Sequence, residues 1–430
     1  MRFAISISPD WCGAPLQIVF PRIGAVSQLL AIFLTLAAIQ AGAALVPVSP
    51  TCGETVALLP DAQKKVMDLP TLAERIVLFR KDRETGGNVL RRGKFWCKAN
   101  PVVLTWRATD GETGPWKVEI ARNSGFEDAD IRYLGAKAEG LSVDGDTISF
   151  AVPRANLETG RTYRWRVTGL GKPEEGRKKG APVRSEAAAF ATEDRAPRWI
   201  EIEGRSGNIR DIGGWRTADG RRVRQGMAFR GKGLNDNSVT GERQGPNRLT
   251  VEAVNYFTQT LGIRTDLDLR TIIETADLCE SPLGPGVNLI MRSSPAYRDI
   301  FVKGRKMSIM AENIRVFCDR ANYPIYFHCI GGADRTGSLT YILLGVLGVP
   351  RHDIETEWES TFYPNMTDDL EESNPNRIRS ELHFAKGLSA YGDENDTWQR
   401  RCELYLLDCG VTEEEITRLR EILLERNERD

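Results

Sequence analysis

Histidine is nearly missing: 430 residues carry three, His328, His352 and His383. No pair of histidines or cysteines has the spacing of a metal site, which argues against a bound metal and against chemistry that depends on one. An excess of one charge is missing too. The 58 basic and 59 acidic residues leave a net charge of -1 and are interspersed, so the one-sided basic face of a nucleic-acid binder is lacking. One long uncharged stretch is present, Ile23–Val46, just after Arg22. Its Leu, Ala and Ile content and the Ala41-Gly42-Ala43 site mark residues 1–44 as a signal peptide. A retained membrane anchor is the alternative, because about 20 apolar residues span a bilayer. Arg22 on the amino side predicts a cytoplasmic N-terminus and an exported body, whether periplasmic, secreted or anchored.

Export would expose the eight cysteines to an oxidising compartment. Cys52 and Cys97 are the expected disulfide, with two unpaired thiols as the alternative. Cys402 and Cys409 lie seven residues apart in a predicted helix, roughly 10 Å by helical rise and beyond the ~7 Å disulfide limit, so both are expected in the core. Cys279 and Cys318 take no assignment.

The length suggests two domains after the export segment. Residues 45–95 lead into a β-sandwich over 96–194, where short alternating runs are split by turns such as Asp110-Gly111 and Asp144-Gly145. In Tyr163-Arg164-Trp165-Arg166-Val167 the apolar side chains alternate with arginines, which gives one buried and one wet face. Trp116 is a ligand contact if exposed and core otherwise, and Glu174–Lys179 reads as a solvated hairpin tip. Leu157, Thr159-Gly160 and Tyr163 resemble the tyrosine corner of fibronectin type III and related immunoglobulin-like sandwiches. That resemblance implies a spacer, or a module with a protein or glycan partner. Glu193–Pro197 reads as a hinge before an α/β domain over 195–430. There Val251–Leu261 and Met307–Ala321 are helical by period, each ahead of a strand, and the β/α alternation predicts a mostly parallel sheet. Glu413–Arg426 is a further amphipathic helix, and Phe362–Trp398 an acidic insertion near the site entrance.

The chemistry concentrates in Ile325-Tyr326-Phe327-His328-Cys329-Ile330-Gly331-Gly332-Ala333-Asp334-Arg335-Thr336-Gly337. A strand, a glycine turn and a helix start leave several N–H groups pointing at one spot, a cradle for an oxyanion formed by residues Ile330 to Arg335. Arg335 returns its guanidinium beside the thiol, where its fork grips two oxygens. Amide dipoles, helix start and Arg335 together favour the Cys329 thiolate, the nucleophile. Asp334 is the nearest carboxylic acid and the candidate general acid. His328 is expected to bond backbone near Cys329 and hold the loop, Thr336 to donate to the sulfur, and Asp268 either to orient the loop or to cap the following helix. Arg230 and Arg270 read equally as ion-pair partners.

This His-Cys-x5-Arg-Thr-Gly string resembles the signature of cysteine-dependent protein tyrosine phosphatases, and its Asp-Arg-Thr-Gly ending resembles the bacterial tyrosine phosphatase-like branch. Asn208-Ile209-Arg210-Asp211-Ile212-Gly213-Gly214, Asp219 to Gly226, Phe229-Arg230 and Gly262 to Arg270 with Glu274 are similar to that branch's other motifs, in order. The resemblance covers roughly residues 200–360. It implies a parallel sheet with flanking helices, a phosphocysteine intermediate, no metal or cofactor, and phosphotyrosine in proteins or a small phosphoester as substrate. Phosphoinositides or inositol phosphates are the alternative, but members often carry Lys where this chain has Ala333, which favours a simpler ester. A binding protein that captures an anion without hydrolysis is the alternative of another class.

Overall fold

The computed structural model describes residues 45–84, 98–109, 114–170, 182–203, 208–235, 249–275, 278–363 and 376–426. The chain divides into two compact units, one of residues up to 57, 101–155 and 160–193, the other of 58–100, 156–159 and 194 onward. The expected export segment, Cys97 of the expected disulfide, the hairpin tip Glu174–Lys179 and part of the acidic insertion lie outside the described residues. Among the described residues no helix is long and apolar enough to cross a membrane.

The first unit holds two sheets. In one, β1 (Leu45–Ser49), β3 (Val102–Ala108), β7 (Thr147–Val152) and β6 (Leu141–Asp144) lie side by side and antiparallel. The other runs β2 (Thr55–Val56), β10 (Ala188–Thr192), β8 (Thr162–Gly169), β4 (Trp116–Ala121) and β5 (Asp130–Leu134), with β9 (Val183–Arg184) on β8. Period-two burial follows the sequence. In β8, Tyr163, Trp165 and Val167 are buried, while Arg166 turns to Glu119 at 3.0 Å. Trp106, Trp116 and Trp165 make the aromatic core, Trp116 meeting Trp106 edge-on at 5.8 Å. Trp116, 2% exposed, is therefore core and no ligand contact. Gly145, at φ +61°, turns the β6–β7 hairpin as Asp144-Gly145 predicts.

The expected approach segment, 45–95, divides between the units. Its first strands join the sandwich, and Trp165 Nε1 donates to the Pro50 carbonyl at 2.8 Å. Helices α1 (Asp61–Met67) and α2 (Leu72–Glu84) belong to the second unit.

That second unit is α/β. Its sheet orders β11 (Arg198–Trp199), β12 (Arg210–Asp211), β13 (Ala228–Gly231), β16 (Ile325–His328), β14 (Thr265–Asp268) and β15 (Asn288–Met291). The last four are parallel and the first two antiparallel. All of β16 is buried between β13 and β14, as an unbroken apolar run requires. Crossovers pass through α3 (Val251–Asn255, continued by a π-turn to Thr260), α4 (Ile272–Thr275) and α5 (Arg305–Phe317). After β16 comes α6 (Asp334–Leu347), buried from Thr336 onward and ended by left-handed Gly348. It packs against α7 (Arg351–Ser360), α8 (Trp398–Asp408) and α9 (Glu413–Leu423). Cys402 and Cys409 are buried in this core without a disulfide.

A buried ion pair fastens α7 to α2. Arg75 of α2 reaches Glu359 through Nε at 2.6 Å and Nη2 at 2.9 Å, both side chains nearly sealed from water. Removing one partner of such a pair strands a buried charge. Arg75→Met is expected to lower unfolding free energy by about 3–5 kcal/mol in urea titrations; a loss below about 1 kcal/mol would show that α2 is not held by this contact.

Candidate active site

The loop begins where β16 ends. Gly332 sits at φ +67°, and a Cβ there would come within 2.2 Å of the Gly231 carbonyl oxygen, so only glycine lets the loop pass the end of β13. The N–H groups of residues 330–335 find no acceptor among the described residues, as expected of a loop that runs into a helix start. Below them lies Cys329, 3% exposed. Burial alone would raise its pKa. The Thr336 hydroxyl and N–H, with the Arg335 charge, outweigh it and leave the thiol below its ordinary value. Thr336 Oγ1 is buried and has no directional hydrogen-bond partner among the described residues.

Arg335 is held from behind. Its Nη1 and Nη2 donate to the two Glu274 oxygens at 2.6 and 2.8 Å, which leaves the other N–H groups of the fork unspent. Thr271 and Glu274 form a capping box at the start of α4, with Thr271 N–H and hydroxyl donating to Glu274 Oε2 at 2.8 and 2.9 Å. The same carboxylate thus starts a helix and aims an arginine. Arg335 depresses its pKa to about 2.

His328 lies under the loop as expected, with Nδ1 3.2 Å from the Cys329 carbonyl, and its Nε2 meets Asp266 Oδ1 at 2.8 Å. Burial opposes its charged form, yet Asp268 and Asp266 outweigh burial and raise its pKa. Asp268 does not bond the loop. It takes Arg270 Nε and Nη2 at 2.9 and 2.6 Å and stands 3.9 Å from His328 Nδ1. Despite burial, His328 and Arg270 hold its carboxyl below the usual range.

Asp334 is gripped on both oxygens. Arg377 Nε donates to Oδ1 at 2.9 Å and Nη2 to Oδ2 at 2.7 Å, and the Tyr297 hydroxyl donates to Oδ1. Tyr297 is left-handed at φ 56° and packs edge-on against Trp358. Burial, then Asp334, raise its phenol's pKa. Nothing local signals either residue in the sequence, since they lie 37 and 43 positions from Asp334.

Behind the loop Arg210, Arg230 and Glu357 are buried together. Glu357 Oε1 accepts from Arg210 Nε at 2.7 Å, and Oε2 from Arg230 Nη1 at 2.8 Å. Burial first, then Arg210, pull the Arg230 pKa down to about 9, opposed by Glu357 and Cys329. Arg210 and Arg230 belong to sequence motifs. Glu357 does not.

The rate of Cys329 alkylation by iodoacetamide follows its thiolate fraction. Half-maximal rate is expected at a pH below that of free cysteine, and Thr336→Val should move it upward by removing the hydroxyl. A midpoint at or above pH 8.5, the value near a free thiol's ~8.5, would contradict the charge balance described.

Residues 200–425 match the model of a family described as the tyrosine phosphatase family. A curated Cupriavidus necator protein named "Putative tyrosine-protein phosphatase H16_A0669" is 30% identical over 196 residues, 39% of this chain and 67% of that one. The core catalytic domain of the PP-IP phosphatase SIW14 from S. cerevisiae, solved with citrate, covers 35% of this chain and 83% of that one. Its identity is 16% and its TM-score 0.23, too loose a superposition to carry an argument. The family match over more than half of the chain, around a buried cysteine and a clamped arginine, makes this chain a member of the tyrosine phosphatase family and a phosphatase.

Proposed function

We propose that this chain is an exported phosphomonoesterase that hydrolyses phosphotyrosine in proteins, or a small aryl phosphate, through a phosphocysteine intermediate. The observation that carries the reading is Cys329, its pKa lowered in spite of burial, in a loop whose amides are open and whose Arg335 is aimed by Glu274.

The steps follow from that geometry. Cys329 Sγ attacks phosphorus, an S–P bond forms and the ester P–O bond breaks. The loop amides and the unspent Arg335 donors hold the equatorial oxygens, where charge accumulates. Asp334 protonates the leaving oxygen once the half-exposed Arg377 side chain releases Oδ2. Asp334 then takes a proton from water as it attacks phosphorus, which returns the thiolate and frees phosphate. Thr336, donating to the sulfur, eases its departure, and His328 with Asp266 and Asp268 keeps the loop in place.

Ala333 supplies no cation inside the loop, which favours a monophosphate over a polyanionic phosphoinositide. Export is supported by the uncharged run Ile23–Val46 and the Ala41-Gly42-Ala43 site. A fibronectin type III-like identity for the first unit is supported by its two largely antiparallel sheets and by Gly160 and Tyr163 of the tyrosine-corner motif. Such a module serves as a spacer or presents the enzyme to a protein or glycan partner.

Cys329→Ser is expected to abolish release of p-nitrophenol from p-nitrophenyl phosphate in the presence of chelator while vanadate still binds. Full activity in that variant would refute the mechanism. Asp334→Asn should slow alkyl phosphates by about 10²-fold or more and aryl phosphates with good leaving groups less; equal slowing would remove Asp334 from the acid role.

A further inference from the structure

Amides that point into the cradle imply carbonyls that point out, because the C=O of one residue and the N–H of the next are opposed across a trans peptide plane. Each carbonyl from His328 to Asp334 has a partner that fixes it. Leu269 N–H takes His328 O at 2.8 Å, Gly233 N–H takes Ile330 O at 3.0 Å and Gly337 N–H takes Ala333 O at 2.8 Å. His328 Nδ1 meets Cys329 O at 3.2 Å, and Ser338 Oγ takes Asp334 O at 2.8 Å. The two glycines are served differently. Asn208 Nδ2 donates to Gly331 O at 3.3 Å and to Gly332 O at 3.1 Å, and Arg230 Nη2 donates to Gly332 O at 2.6 Å.

Gly332 is walled by the end of β13, but Gly331 is open. A Cβ built on Gly331 would touch nothing within 4 Å, so no steric wall sets its peptide planes, and glycine itself accepts many. The two donors, by contrast, are rigid. Asn208 is left-handed at φ 62°, a conformation asparagine tolerates, and its Oδ1 accepts from Arg210 Nη1. Arg230 is fully buried and fixed through Nη1 to Glu357.

We propose that Asn208 and Arg230 are positioning residues for phosphoryl transfer. They turn the Gly331 and Gly332 carbonyls out of the cradle and so aim the N–H groups of Gly332 and Ala333 at the equatorial oxygens of the transition state. The inference rests on the Cys329 mechanism above and names the side chains that organise it.

The test compares the full chain with Asn208→Ala and Arg230→Lys, the latter keeping a charge but losing the planar fork. Loss of a direct oxyanion donor costs about 10²–10³ in kcat, so misaimed amides are expected to cost about 10- to 100-fold in kcat with little change in KM for p-nitrophenyl phosphate. Vanadate, which adopts the transition-state geometry, should weaken in proportion to kcat/KM, and inorganic phosphate, a ground-state anion, should weaken less. Should Arg230→Lys fail to fold, Asn208→Ala decides. A folded Asn208→Ala with kcat and vanadate affinity within about twofold of the parent overturns the proposal, as does equal weakening of vanadate and phosphate. Vanadate binding requires no turnover, so an inactive parent would sink the mechanism and still leave the aim of the amides readable. An active parent matched by its variants would sink this inference alone.

Discussion

Holding a buried thiol with its pKa lowered, at the end of the central strand β16, is the constraint around which the second unit is arranged. An anion that loses its hydration needs fixed dipoles and charges in exchange. Here they come from several places: the Thr336 hydroxyl and N–H, the start of α6, Arg335 in front and Arg230 behind. Each compensating group is itself costly to bury, so each needs a partner of its own. Glu274 answers Arg335, Glu357 answers Arg230 and Arg210, and Asp266 and Asp268 answer His328. The loop around Cys329 is thus backed by a lattice of charged pairs that spreads through β12, β13, β14, α4 and α7.

The lattice also explains the placement of α7. Its Glu357 faces the loop and its Glu359 faces α2, two residues apart and on different sides of one helix. Trp358, between them, packs on Tyr297 and Phe384, so the helix that seats Arg230 also seats the ring whose hydroxyl meets Asp334.

How much of this the sequence discloses depends on distance along the chain. The strand, glycine pair and arginine of the loop are contiguous, and the helices at Arg305–Phe317 and Glu413–Leu423 follow from periodicity. Gly332 announces itself as a residue whose neighbour leaves no room for a side chain. Tyr297 and Arg377 are illegible because they meet Asp334 only through tertiary folding. Arg230 was readable as an ion-pair partner, and its second bond, to a carbonyl, was not. Trp116 was ambiguous since an alternating strand does not say which of its faces is covered. The boundary near residue 95 misled because α1 and α2 precede the sandwich in the chain yet belong to the second unit, and periodicity says nothing of which core a helix joins.

That last feature bears on how the enzyme can be handled. The phosphatase unit is discontinuous, its chain leaving near residue 100 and returning for good at 194. A fragment cut at residue 200, the apparent start of the family match, would keep Glu359 and discard the guanidinium that neutralises it, and would lose the Trp199–Gln63 pair, whose indole N–H donates at 3.0 Å. Truncation before residue 194 therefore removes part of the catalytic body too, since that unit includes residues 58–100.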